Sequence, residues 1–531
     1  MNRNCVIKFS SFILVFLLIA SCAPRSAKTA KQAPPPKGSS VSTATGWTYQ
    51  NENFSGGTGY ASSGFAAQEN YKPQAPAGMV VIEGGTFLMG EKSDMITAQR
   101  DNLTRRVTVG SFYMDQYEVS NLMWREYTHW MEVVFGDVAP RLVQNTLPNV
   151  DKASDPLTYN EPYYDRYYSH PAFNHYPVVG VTWEQAMDYC QWRTDRLNEL
   201  VLVKAGVLAP PDFSYVQRVP EHDSIAQNFV FNTEKYLLQR AYNPPMGPKP
   251  LQGAYGTTRK AQMGDGLMFP NFRLPTEAEW EFAAYGLKAD KNGLVAEGRM
   301  YPWTGDRLRN TEKGKTQGKM QANFVRGRGD MMGTAGDLND RYTTTAPGDA
   351  YPPNDFGLYN MAGNVNEWVL DVYRSTSHQE VSDYNPYRGN QGYTYLAESQ
   401  DGNGRYQLKV DSLGRIARTV LPEDDMRNYR DGTNQIVTDF QLYTDPEGMA
   451  ALRNNRQLDP TDVLAPKVSN KTRVYKGGSW KDRSYWINPA TRRYLDQNKS
   501  ANDIGFRCAM TLLGSIDKQP VAKKTSLKKK K

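Results

Sequence analysis

Cysteine and histidine are scarce in this sequence: four cysteines and five histidines among 531 residues. So few soft ligands exclude a cysteine-rich metal cluster. The apolar run Phe12–Ala20 has nine residues, far short of the ~20 that a helix needs to cross a bilayer. Neither a Gly-x-Ser-x-Gly elbow nor a Walker loop is present, and no internal repeat of 20 to 50 residues is visible. Basic character is also missing where it would count. Of a formal charge of +7, seven lysines and one aspartate between Ser515 and Lys531 contribute +6, and Arg3 with Lys8 contribute +2, so Cys22–Gly514 carries −1. A near-neutral body with a basic tail excludes the electrostatic footprint of a nucleic-acid-binding domain.

What is present begins with a signal. Arg3 and Lys8 precede the apolar run, and Ile19-Ala20-Ser21-Cys22 sets small residues before a cysteine. This predicts a signal peptide over residues 1–21. "LIASC" resembles a bacterial lipobox, which implies cleavage before Cys22 and its lipidation, with several acyl chains holding the chain to a membrane. Cys5 leaves with the signal and Cys22 carries lipid. Cys190 and Cys508 remain, and in an oxidising compartment two cysteines suggest one disulfide.

Residues 22–75 are rich in Ala, Pro, Ser, Gly and Thr and predict a disordered tether; residues 515–531 predict a solvated basic tail. Between them, 76–514 has the aromatic and aliphatic content of a folded domain. "MVVIEGGTFLMG" at Met79–Gly90 alternates, breaks at Gly84-Gly85 and resumes, as a hairpin would. Strand alternation then gives way at Ser120 to a helical period, with Ser120 as the predicted N-cap. "PVVGVTWEQAMDYCQWRTDRL" repeats the pattern with Thr182 as cap and Ala186, Cys190 and Trp192 or Arg193 on successive turns. Short strands, few helices and many glycines and aromatics predict an α+β fold with much irregular structure.

Four blocks stand in a recognisable order: Met79–Gly90; Pro177–Trp192; "FRLPTEAEWEFAAYG" at Phe272–Gly286 with "YPWTGD" at Tyr301–Asp306; and "NDFGLYNMAGNVNEWVLD" at Asn354–Asp371. "RVYKGGSW" at Arg473–Trp480 and "IGFRCAM" at Ile504–Met510 complete the last. In these blocks the chain resembles the formylglycine-generating-enzyme, or sulfatase-modifying-factor, family. The resemblance implies that family's C-type-lectin-like fold, with insertions near 194–271 and 372–472. Through "YNEPY" from Tyr159, "HPAFNHYPVVG" from His170, "WRTDRLNE" from Trp192, "NYRDG" from Asn428 and "KGGSWKDRSYWINPATRRYLDQ" from Lys476, it resembles the GldJ-type gliding-motility lipoproteins of the Bacteroidetes. That branch implies an outer-membrane lipoprotein supporting gliding and type IX secretion, with secretion-ring lipoproteins of the GldK type as partners.

Catalytic members of the family use two cysteines five positions apart just after the GGS motif, a soft thiolate pair for copper(I). Here the two positions are Asp482 and Ile487. The resemblance therefore implies a pseudoenzyme and no copper, with Cys190 and Cys508 matching the family's structural disulfide. Iron-dependent relatives need three histidines; the chain offers His129, His170, His175, His222 and His378, of which His170 and His175 read as loop residues. Glu277, Glu279 and Glu281 fall in a helix matching a structural block.

Calcium is the cofactor the resemblance does imply. Its first site maps to the Asn323 and Asp340 side chains with the Phe324 and Tyr342 carbonyls. The second maps to the Asn360 and Glu367 side chains with the Gly363 and Val365 carbonyls, oxygen donors suited to a hard cation. Two other functions stay open at this point: an unrecognised oxidase or hydrolase, and a glycan or cell-wall binder suggested by 33 tyrosines and 10 tryptophans.

Overall fold

The computed structural model describes residues 71–91, 102–136, 139–149, 166–211, 230–239, 242–253, 257–286, 299–325, 342, 344–373, 386–387 and 471–514, with a few short strand pairs besides. The signal peptide, Cys22, most of the tether, the basic tail, Asp340, His222, His378, Tyr159–Tyr163 and Asn428–Gly432 lie outside the described residues. Residues 252–259 group with 1–70 as a small separate unit. Within that unit the Gly253 N–H donates to the Thr257 carbonyl and Arg259 Nε donates to the Gln252 carbonyl at 3.1 Å. Everything below concerns the larger unit.

In chain order its first elements are strands β1 (Met79–Ile82), β2 (Gly85–Met89), β3 (Arg105–Val109) and β4 (Phe112–Asp115). The helices are α1 (Asn121–Phe135), α2 (Pro140–Gln144), α3 (Trp183–Lys204), α4 (Thr233–Leu238) and α5 (Glu277–Tyr285). The later strands are β5 (Phe272–Arg273), β6 (Asn366–Val372), β7 (Thr472–Lys476), β8 (Arg493–Asp496), β9 (Ile504–Gly505) and β10 (Ala509–Thr511). One sheet runs β1-β4-β10-β5 and is antiparallel throughout; the other runs β8-β7-β6-β9, with β9 parallel to β6. Short strands and few helices agree with the expected α+β class.

The predicted helix starts hold. Ser120 Oγ accepts from the Met123 N–H, and Thr182 forms a full capping box with Gln185. The predicted hairpin at Gly84-Gly85 does not form. β1 pairs with β4 (Met79 opposite Asp115), whereas β2 pairs with β3 (Gly85 opposite Val109). The two glycines carry the chain from one sheet to the next, and a side chain on Gly84 would meet the Val109 carbonyl at 2.4 Å. Alternation announces strands but not their partners.

Two aromatic clusters make the core. One joins the β2–β3 hairpin to α5 and β6 through Phe87, Trp280, Phe282 and Val369. The other packs α1 and α3 on the first sheet, with Trp124 stacked on Tyr189 at 5.4 Å and edge-on to Phe506. A satellite cluster of Leu202, Leu208, Phe231, Tyr236 and Met268 lies within the expected first insertion. The boundary proposed at Thr194 falls inside α3, because Thr194 is buried on the same face as Cys190 and its hydroxyl accepts from the Phe272 N–H. The second stretch leaves β6 at Val372 and rejoins opposite it at Arg473 of β7. No helix among the described residues is long and apolar enough to cross a membrane.

Candidate functional site

β6 and β7 lie side by side with Glu367 opposite Lys476, and the turns next to these residues stay zipped together. Gly363 N–H donates to the Gly477 carbonyl and Trp480 N–H to the Asn364 carbonyl, both at 2.8 Å. This register brings the GGS motif beside the Asn360–Glu367 segment. Ser479 is buried, and both its N–H (2.8 Å) and its hydroxyl (2.6 Å) donate to Asp482 Oδ2. Arg493, arriving on β8, donates to both oxygens of Asp482, at 2.8 and 2.5 Å. Its guanidinium lies 4.5 Å from the Trp486 ring and 5.1 Å from Tyr475. Burial alone would raise the Asp482 pKa, but Arg493 and then Ser479 hold it below the usual carboxylate range. Asp503 stands beside it, with an oxygen 3.1 Å from Ser479 Oγ, accepting from Asn366 Nδ2 (2.9 Å) and pairing with Lys481. Ile487 is fully buried, against Tyr301, Met320, Phe324 and Ala362. At the two positions, then, stand an ionised carboxylate committed to an arginine and a branched apolar side chain.

The calcium-type residues adjoin this site. Asn323 Nδ2 donates to the Thr344 carbonyl at 2.8 Å, and the Asn323 carbonyl accepts from the Asn364 N–H. Phe324 is buried with Ile487, and Tyr342 lies edge-on to Tyr351. Gly363, at φ 74, is the contact between the two oxygen sets, because a side chain there would meet the Asn323 carbonyl at 2.3 Å. Asn360 and Asn364 also hold positive φ, which asparagine tolerates best after glycine. Val365 is buried beside Tyr167 and Val179.

Glu367 is held within the fold by Arg507 and Trp280. Arg507 donates to Oε1 (2.6 Å) and Oε2 (2.7 Å), and Trp280 Nε1 donates to Oε2 (2.8 Å). Its charge is matched by Arg507. Close by, Glu118 has no ion pair among the described residues, and the sequence reading missed it. It is buried and accepts from Asn360 Nδ2 (2.9 Å) and Asn364 Nδ2 (3.0 Å). Burial, then the nearby Glu367, raises the Glu118 pKa well above the carboxylate range. The groups facing Glu118 are the amide N–H donors of Asn360 and Asn364, and its raised pKa favours the neutral form near neutral pH, so it adds no free negative charge beside the Glu367–Arg507 pair. The only available clue to Glu118 was its place two residues before the Ser120 cap.

The other candidates resolve individually. Cys190 and Cys508 are brought face to face, buried, with Sγ atoms 3.5 Å apart as free thiols. Burial, then the Cys190 thiol, pushes the Cys508 pKa up. His170 Nδ1 caps a short turn by accepting from the Ala172 N–H, and His129 and His175 are exposed. Among the described residues no group of three or more histidine, cysteine or acidic side chains is placed to hold a metal. Glu277 and Glu281 lie in a buried ion network with Lys476 and Arg492, while Glu279 pairs with Arg273.

The sulfatase-modifying factor enzyme 1-like domain model matches residues 65–512. The chain is 28% identical to the mouse (Mus musculus) formylglycine-generating enzyme over 316 residues, 59% of this chain and 63% of that protein. It therefore spans less than two thirds of that relative's length. A protein named inactive C-alpha-formylglycine-generating enzyme 2 from Bos taurus is 31% identical over 159 residues, 30% of this chain and 42% of that one. Among solved structures, Treponema denticola variable protein 1 aligns at a TM-score of 0.34 and 16% identity, covering 82% of this chain and 94% of that one. With the motif blocks in order, the GGS turn zipped against the Asn360–Glu367 segment and a domain match across most of its length, this chain belongs to the sulfatase-modifying factor enzyme 1-like domain family.

Proposed function

We propose that this chain is a non-catalytic member of the family, a lipoprotein held at the outer membrane through Cys22 that scaffolds the gliding and type IX secretion machinery. The observation that carries the non-catalytic reading is the state of the two positions after the GGS motif. Oxidation of a substrate cysteine in this family depends on a deprotonated sulfur pair around copper, and Asp482, locked to Arg493, with Ile487 in an apolar cluster, offers neither sulfur nor a free ligand. In this reading the domain works by presenting surfaces to secretion-ring lipoproteins of the GldK type. Calcium is structural, held by Asn360, Gly363, Val365 and Glu367 at one site and by Asn323, Phe324, Asp340 and Tyr342 at the other. Cys190 and Cys508 form a disulfide in the oxidising compartment. The domain faces the periplasm from the inner leaflet, because Arg25 and Lys28 follow Cys22 where surface-exported lipoproteins of the phylum carry acidic residues.

The deciding experiment gives the purified protein copper, oxygen and a Cys-x-Pro-x-Arg peptide. No formylglycine is expected, and turnover would overturn the non-catalytic reading. Crosslinking in membranes followed by mass spectrometry should recover ring lipoproteins. Recovery of none, from cells that assemble the secretion machinery, removes the scaffold role.

A further inference from the structure

Anchored in the Ile487 cluster through Tyr301 at its foot, the hairpin that follows "YPWTGD" has no part in the reading above. Its base is closed by Asn310 N–H to the Lys319 carbonyl (2.9 Å), Gly318 N–H to the Asn310 carbonyl (2.7 Å) and Gln321 N–H to the Leu308 carbonyl (3.1 Å). Arg309 Nη1 to the Gly318 carbonyl (2.7 Å) and Asn310 Nδ2 to Thr316 Oγ1 (2.9 Å) tie its two arms together. From Arg307 to Lys319 it carries five cations and one anion, Glu312. Among the described residues Arg307, Lys313, Lys315 and Lys319 form no ion pair, and all four are exposed.

The foot of this hairpin and the Pro352–Asp355 turn enclose a cleft of roughly 330 Å³, at the small end of the ~300–1,000 Å³ that ligand sites occupy. One wall is the half-buried Trp303. Its ring is stacked on Tyr301 at 5.0 Å and 16°, and its Nε1 donates to the Arg307 carbonyl at 2.8 Å. With the indole N–H satisfied inside the fold, what the ring offers a ligand is an apolar surface. Around it stand acceptors, Asp306 and Glu312, and the donor Arg307, while Gln321 Nε2 already donates to the Arg307 carbonyl at 3.1 Å. Asp355, also in the lining, is already paired with Arg299 at 2.7 Å.

A fixed aromatic wall among both donors and acceptors fits a polyhydroxylated ring, whose C–H face packs on indole while its hydroxyls bridge carboxylate and guanidinium. The excess of unpaired cations beyond the cleft adds attraction for negative charge along a strand leaving it. We propose that this cleft binds an acidic oligosaccharide, with one sugar ring against Trp303 and neighbouring carboxylate or sulfate groups on the Arg307–Lys319 hairpin. A bare anionic membrane would use the lysines but leave the walled cleft unused.

The test is calorimetric titration of the full chain carrying Cys22→Ala, which removes the expected lipid anchor. The probes are oligogalacturonate, a heparin-derived hexasaccharide, neutral maltohexaose, inorganic polyphosphate and phosphatidylglycerol vesicles. At least one acidic glycan should bind and maltohexaose should not. Trp303→Ala should weaken glycan binding about tenfold while leaving any polyphosphate binding unchanged, and Lys313→Gln with Lys315→Gln should weaken it about tenfold. The two lysines are exposed, so that double variant decides the matter if Trp303→Ala unfolds. Failure of both acidic glycans to bind, equal binding of polyphosphate with no response to Trp303→Ala, or binding to vesicles alone overturns the proposal.

Discussion

Arg493 holds Asp482 through both terminal guanidinium nitrogens, at 2.8 and 2.5 Å, three residues after Ser479 of the GGS motif. The pair forms because β8 runs antiparallel to β7, with Tyr475 opposite Arg493, directly before the GGS turn. Removing Asp482 leaves a largely buried guanidinium without its main partner. Asp482→Ala should therefore cost about 2 kcal/mol, discounted for the solvent that reaches Arg493, with Asp482→Asn costing less. Urea unfolding of both variants measures this. If the scaffold reading holds, gliding and secretion persist in either variant that still folds. Loss of both in a stably folded Asp482→Ala protein would count against it.

The buried network around Lys476 is the more sensitive one. Lys476 Nζ lies 2.8 Å from Glu281 and 3.3 Å from Glu277, and all three are essentially solvent-free. Burial by itself would raise the Glu277 pKa, but Arg492 first, then Lys476 and Arg105, lower it below the usual range. Lys476→Met strands part of this negative charge in a low-dielectric core, so a loss of about 3–5 kcal/mol is expected. An unfolding midpoint within error of wild type would show that the network relaxes at no cost.

Asp195 gives the fold a pH signature. Burial raises its pKa from 3.8 to about 6, despite donation from the Thr233 N–H, Asn232 and Gln191. Between these values the folded state keeps a proton that the unfolded state has released, so stability falls as pH rises through the window. The change is on the order of 3 kcal/mol. The unfolding free energy of wild type minus that of Asp195→Asn should therefore decline from pH 4 to pH 6 and level off above it. A flat difference across that range contradicts the assignment.

Thiol labelling of unreduced, denatured mature protein should find no reactive thiol at Cys190 or Cys508. Closing a loop across 318 residues of separation is worth on the order of 5 kcal/mol at most in the chain-entropy model. Reduction should lower the melting temperature accordingly. Two labelled cysteines would end the disulfide proposal.

Chelation should lower the melting temperature if calcium is structural, and added calcium should restore it. Asp340→Asn, which removes the one carboxylate expected at the first site, should blunt the response. Melting curves indifferent to chelator, from protein that purifies without metal, would dismiss the ion.

Sequence alone determined what depends on local chemistry. Ser120 and Thr182 cap helices because a side-chain oxygen three residues before an open N–H suffices, and the α+β class follows from short alternating runs with frequent glycine. The contiguous motif blocks likewise sufficed to identify the family, and Asp482 and Ile487 could be located by counting from GGS. Only the tertiary structure decided what depends on partners distant in the chain. β1 leaves β2 for β4 because strand pairing is chosen by whole sheets, and the run around Gly84 fits either partner. Glu367 is matched by Arg507, 140 residues away, and Glu118 meets Asn360 across 242. Charge compensation in a buried site is set by which side chains share the low-dielectric volume, and no local spacing along the chain encodes that.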